Sequence, residues 1–348
     1  MADIKEDSEL RKTLIDYKHR RPYEELISID NASSKNILDT KILAQEIIME
    51  LVGLAFGRWD VEYRQNPDNI PAFGDIFDAL PFMPTVSLSE YRDGYPINYP
   101  TDGILSGDDS GDSLVRKVRE SKVAIWGERA DDIEYELCNI IGYTDLFEYL
   151  SSPSGFFAYH FTRYTKSRRK APIYWPLTSE RGKVTLWVYY PRMNGNTLAA
   201  LVLRLSHSLE SYKSDLSNAS LRHDRAAENE ARVMIEEHEG MIEKLRSLIA
   251  QNYVPNHDDG VPVTAAPLAA LFGHSAWRNE CQSNLELLQE GEYDWSHLAY
   301  SMFPNRIREK VKKDWCLALT HSLEELCDNK PKPKKERKAK KVEDNSLF

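Results

Sequence analysis

Cysteine is scarce in this chain of 348 residues. The four present (Cys138, Cys281, Cys316 and Cys327) lie far apart, and none forms a Cys-x-x-Cys pair. That spacing argues against a disulfide framework or a zinc site and for reduced thiols in a cytosol. Long apolar runs are missing too; none approaches the ~20 residues of a membrane span. The opening MADIKEDSEL has no apolar core of the signal-peptide kind. A cytoplasmic location is the expectation. The glycine-rich phosphate loops Gly-x-Gly-x-x-Gly and Gly-x-x-x-x-Gly-Lys-Ser/Thr are absent, as are His-Glu-x-x-His and Gly-x-Ser-x-Gly. With them go the common signatures of dinucleotide binding, NTP hydrolysis, zinc proteolysis and serine hydrolysis. One cluster, Asn256-His257-Asp258-Asp259-Gly260, has the residue types of a cation site. Asp-Asp-Gly is more often a tight turn, and a turn is expected here.

The composition is that of an ordinary globular protein, with 41% hydrophobic and 29% charged residues. The net charge is −10, unevenly placed. Residues 1–150 hold 16 Lys and Arg against 30 Asp and Glu, whereas the remainder holds 29 against 25. The asymmetry suggests an anion met by the second part and protein or solvent met by the first.

The expected fold class is α+β, mainly α, with helical domains, a small antiparallel β hairpin or sheet and a long antiparallel helical hairpin. Residues 1–37 form a polar lead-in. Residues 38–150 form an acidic helical domain with a loop rich in Pro and Gly over 66–112. Within it, DTKILAQEIIMELVGLAFGRWD has apolar residues at helical spacing, Asp39 as a candidate N-cap and Gly57 as a candidate C-cap. YTDLFEYLSS marks a further helix capped at Thr144 or Asp145. Residues 151–328 form a second region. There TSERGK, between two aromatic β-prone runs, signals a hairpin, and 196–251 reads as two antiparallel helices joined near NASLRHDRAAENEAR. Residues 329–348 are expected to be a disordered basic tail, either solubilising or a nonspecific nucleic-acid arm. His160, His297 and His321 have no partner identifiable from sequence, and His297, among aromatic neighbours, is expected to be a core histidine.

RYTKSRRKAPIYW, residues 163–175, stands out. Five of its first eight residues are basic and none is acidic. Such a run requires either an anionic partner or a structural use.

Taken in order, the segments LVGLAFGRWDVEYR, YPTDGIL, IWGERADDIEYELCNIIG, SSPSGFFAYHFTRYTKSRRKAPIYWPLTSERGKVTLWVYY, HDDGVPVTAAPLAALF and AWRNECQSNLELLQEGEYDWSHLAYSMFP resemble one family. They are similar to the C-terminal part of large adenine-specific DNA methyltransferases. These are the BREX phage-defence enzymes (PglX-like) and single-chain restriction–modification enzymes of the Eco57I type. The likeness runs from about residue 40 to about residue 328 and is most specific around SRRKAPIYW. The catalytic half of those enzymes carries a glycine-rich S-adenosylmethionine motif and an Asn-Pro-Pro-Tyr motif that holds a flipped adenine. Neither occurs here, and the chain has no Pro-Pro pair. Many relatives have His-Arg after the paired tyrosines, where this chain has Pro191 and Arg192.

The resemblance therefore implies a DNA-recognition or accessory subunit of a split methyltransferase, without catalytic residues of its own. S-adenosylmethionine would be held in a partner chain, and duplex DNA and defence proteins would be partners. Arg163, Lys166, Arg168, Arg169 and Lys170 would neutralise phosphates, joined by Arg192. Tyr174 or Trp175 would pack behind them or stack at the groove edge. Phosphate contacts position a protein on DNA and do not specify sequence. The alternative is a protein-interaction scaffold that joins defence subunits without touching DNA, which the negative net charge favours.

Overall fold

The computed structural model describes residues 40–59, 61, 97–166, 169–295, 298, 300 and 303–330. The lead-in 1–37, the candidate cap Asp39, Arg168, His297 and residues 331–348 of the basic tail lie outside them. The fold is mainly α with a small antiparallel sheet, as the sequence pattern indicates. No helix among the described residues is long and apolar enough to cross a membrane. The chain divides into two compact units, Met1–Gln282 and Ser283–Phe348.

In the first unit, α1 (Thr40–Ala55) is buried almost all round from Leu43 to Ala55, including Glu46 and Glu50. A helix buried on nearly every side belongs inside a core. It packs against α2 (Leu114–Trp126), α3 (Ala130–Ile141) and the later helix α5 (Phe156–Arg163). Gly57 ends its last turn with φ +61, and its N–H donates to the Leu54 carbonyl at 2.8 Å. A side chain there would meet the Tyr99 ring at 2.7 Å, so both the conformation and the space require glycine. The N-caps of α2 and α4 (Leu146–Ser151) are Ser113 and Asp145, each accepting a backbone N–H three residues on.

The sheet has the order β1–β5–β4, all antiparallel, with β1 Ile104–Ser106, β4 Tyr174–Thr178 and β5 Thr185–Tyr189. A separate two-stranded ribbon pairs β2 (Thr165–Lys166) with β3 (Arg169–Lys170). The period of two divides β4 between two layers. Tyr174 points to Phe56 (5.3 Å between ring centres) and Phe156 (6.2 Å); Trp175 points to Tyr190 (5.1 Å) and Phe272 (5.9 Å). Both faces are covered, so the strand reads as a continuous aromatic run. Pro176 is tolerated because β4 is at the sheet's edge, where a missing N–H costs no central ladder bond.

The long helical hairpin is α6 (Thr197–Leu221) and α7 (Arg225–Ala250). Asp224 caps α7 by accepting from Ala226 and Ala227 N–H, both at 3.1 Å. The Asn256–Gly260 cluster is a turn, with Asn256 capping a single 3-10 turn, His257–Asp259; the short helix α8 (Val261–Ala265) follows.

The boundary expected near residue 150 is not a domain boundary. Strand β1, from the acidic region, pairs along its whole length with β5 from the basic region, and α1 packs on α5. One core therefore spans both. A change in charge composition does not mark a boundary, because a domain is defined by what is buried together. The division falls instead along α9 (Ser275–Glu290).

In the second unit, Trp295 is buried and its indole N–H donates to Asp314 at 2.5 Å. Asp314 also caps α11 (Trp315–Thr320), which follows α10 (Pro304–Val311), by accepting from Leu317 N–H at 3.0 Å.

Candidate nucleic-acid interface

Two cations of the basic run have described side chains, and both meet carboxylates; Arg168 and the side chains of Lys166 and Arg169 lie outside the described residues. Arg163, at the end of α5, places its Nε 2.6 Å from the Oε1 of Glu46. Tyr159 donates to the same oxygen at 2.6 Å. Glu46 is only 3% exposed, so Arg163 is the counter-charge of a buried carboxylate. Lys170 bonds Glu280 on α9 at 2.6 Å. The backbone of Lys166 is opposite that of Arg169 in the small ribbon. Arg192 donates to two carbonyls, Pro100 at 2.8 Å and Gly57 at 3.0 Å, and its guanidinium lies over the Tyr99 and Tyr189 rings. It ties together three chain segments.

Tyr174 and Trp175 are fully buried, which corrects the groove-edge expectation: neither ring has a free face for a base. The Trp175 indole N–H donates to the Pro172 carbonyl at 2.7 Å, and both rings belong to the core behind the ribbon.

His160 has partners after all. It is wholly buried, and its Nε2 accepts the N–H of Ile173 at 2.9 Å and of Tyr174 at 3.2 Å. Burial, with the nearby Arg58 charge, holds its pKa well below the usual imidazole value. The neutral ring thus terminates the backbone entering β4, and no sequence signal marks a histidine paired with main-chain amides.

Six segments distant in sequence line a groove of about 750 Å³ elsewhere in the first unit. Its wall is the β4–β5 loop, which Glu237 of α7 organises. The Ser179 hydroxyl donates to Glu237 at 2.6 Å, Arg181 N–H donates to the same oxygen at 2.9 Å, and Val184 N–H donates to the Ser179 hydroxyl at 3.0 Å. Burial alone would raise the Glu237 pKa. The bonds from Ser179 and the Arg181 backbone, with the Arg181 charge, outweigh it and hold the carboxyl below the usual range.

Five basic residues line the groove. Arg181 faces Glu236 at 3.3 Å and Glu237 at 3.8 Å; Arg204 faces Asp102 at 2.9 Å and Asp112 at 3.6 Å. Lys183, Lys244 and Arg278 line it with no carboxylate partner among the described residues. Two carboxylates, Asp108 and Glu180, also line it. Asp108 is engaged by the Ser106 hydroxyl at 2.6 Å and Ser110 N–H at 3.0 Å.

Sequence reasoning passed over these three cations. Lys183 sits in a recognised turn, and Lys244 and Arg278 are isolated charges on helices; only the fold brings them to one groove. No protein-family model and no curated protein matches this chain.

Proposed function

We propose that this chain is a DNA-contacting accessory subunit of a split adenine-specific DNA methyltransferase in a phage-defence or restriction–modification system. The resemblance of residues 40–328 to the non-catalytic part of such enzymes supports the methyltransferase association. A partner chain then supplies S-adenosylmethionine binding and the adenine pocket. The observation that carries DNA contact is the groove: Lys183, Lys244 and Arg278 line it with no carboxylate partner among the described residues, in a chain of net charge −10. Unneutralised cations gathered from separate elements on an otherwise acidic protein favour a phosphate-bearing partner.

Affinity purification of the tagged chain from its native host under phage challenge, with mass spectrometry of the companions, tests the association. A methyltransferase carrying the Pro-Pro motif is the expected companion; defence proteins without any methyltransferase would overturn it. A second reading, the scaffold, draws on the helical hairpin, where Leu203 is 57% and Leu221 80% exposed. Large apolar side chains so exposed fit a protein partner. That reading expects recovery of defence proteins and no salt-sensitive DNA affinity.

A further inference from the structure

We infer that the groove beside the β4–β5 loop takes a single strand of DNA in preference to a duplex. This deepens the proposed function and rests on its DNA-contacting part.

Three observations point to one strand. First, the free cations line the inside of a recess, with Lys183 on the hairpin loop, Lys244 on α7 and Arg278 on α9. A recess of about 750 Å³ has room for a few nucleotides of one strand, whereas a whole duplex is too wide to enter it. Second, rings share the lining with the cations. Phe147 is 38% exposed, and Tyr212 and His274 are half-buried. His274 is braced by Phe157 and Phe161, each 5.2 Å away between ring centres. Burial lowers its pKa, which leaves a neutral aromatic face. Cations that follow a backbone, interleaved with rings on which bases stack, are the requirements of sequence-tolerant single-strand binding. Third, the wall is preorganised. The Glu237 bonds fix the loop that bears Lys183, so little order is lost on binding. The carboxylates Asp108 and Glu180 on the same lining oppose phosphate, and three unpartnered cations outnumber them.

The test uses the full chain, a fluorescein-labelled oligothymidylate and a labelled duplex of equal length, followed by anisotropy across a salt series. The strand is expected to bind at least ~10-fold more tightly than the duplex, with affinity falling as salt rises. Replacing Lys183, Lys244 and Arg278 together by Ala is expected to weaken strand binding by roughly 10-fold or more. The log–log salt slope should flatten by about 2, from ~0.7 per phosphate contact. The single change Lys183→Glu, at an exposed loop position, provides a second variant if the triple one misfolds; it should weaken strand binding in the same direction. A duplex bound as tightly as the strand, or strand binding indifferent to these changes, overturns the inference and leaves the accessory-subunit reading standing. Failure to bind either nucleic acid removes both this inference and the DNA-contacting part of that reading.

Discussion

Glu237, buried on α7, accepts the hydroxyl hydrogen of Ser179 at 2.6 Å, and Ser179 in turn accepts the N–H of Val184 at 3.0 Å. One carboxylate thus sets the shape of the β4–β5 loop from another helix. Removing it leaves Ser179 and the Arg181 N–H without their charged acceptor. Hydrogen bonds to charged groups contribute about 1.5–3 kcal/mol each, less where solvent replaces them. Glu237→Ala is expected to cost about 2–3 kcal/mol of unfolding free energy, read from urea midpoints at constant m. A change under ~0.5 kcal/mol would show that the loop holds its shape unaided.

The same carboxyl gives a signed pH dependence. Its folded pKa lies below the unfolded value of ~4.3. Its contribution is therefore fully present above that value and is lost as pH falls through the folded pKa. The urea-midpoint difference between the wild type and Glu237→Gln should be largest near neutrality and shrink below about pH 4. A difference that grows with acid would mean the carboxyl is protonated in the native state.

His160 makes an opposite kind of statement. Its neutral Nε2 satisfies two buried amides, so His160→Phe should cost about 2–4 kcal/mol, at roughly 1–3 per orphaned group. His160→Gln, whose carbonyl can accept, should recover part. With a folded pKa below the unfolded ~6.5, the ring's contribution is complete above that pH and declines as pH falls beneath it. Its ring resonances should show no titration between about pH 6 and 8; a midpoint near 6.5 would place the imidazole in solvent.

Trp175→Ala removes a ring that has no exposed surface and breaks the 2.7 Å bond to the Pro172 carbonyl. A loss of about 3–5 kcal/mol is expected in chemical denaturation. Stability within experimental error of the wild type, together with lost DNA affinity, would instead assign the ring to a binding surface.

The basic run divides into separable parts. Arg163→Ala leaves the buried Glu46 with Tyr159 as its remaining polar contact from α5 and should cost about 1–3 kcal/mol, discounted because Arg163 itself reaches solvent. DNA affinity, corrected for the folded fraction, should not change. Replacing Arg168, Arg169 and Lys170 by Ala should weaken duplex binding and flatten its salt dependence if the run meets phosphate. An unaltered affinity in that variant would give the whole run a structural role.

Much of the fold was determined by short-range pattern. Apolar spacing located α1, YTDLFEYLSS located α4, the helical pattern over 196–251 located the hairpin, and TSERGK between aromatic runs located the β4–β5 turn. Asp145 and Gly57 act as helix ends because capping is a contact between near neighbours in sequence. Such contacts involve residues a few positions apart, so a linear text contains them. The fate of each charge was decided only by tertiary structure. Arg163 and Lys183 look alike in sequence, yet one neutralises Glu46 across the core and the other stands unpaired in a groove. Tyr174 and Trp175 look like an aromatic platform beside cations, yet strand pleating sends them into two separate apolar layers. Coulomb partners and burial depend on distance in space, and segments far apart in the chain meet only when the core that joins β1 to β5 and α1 to α5 has formed.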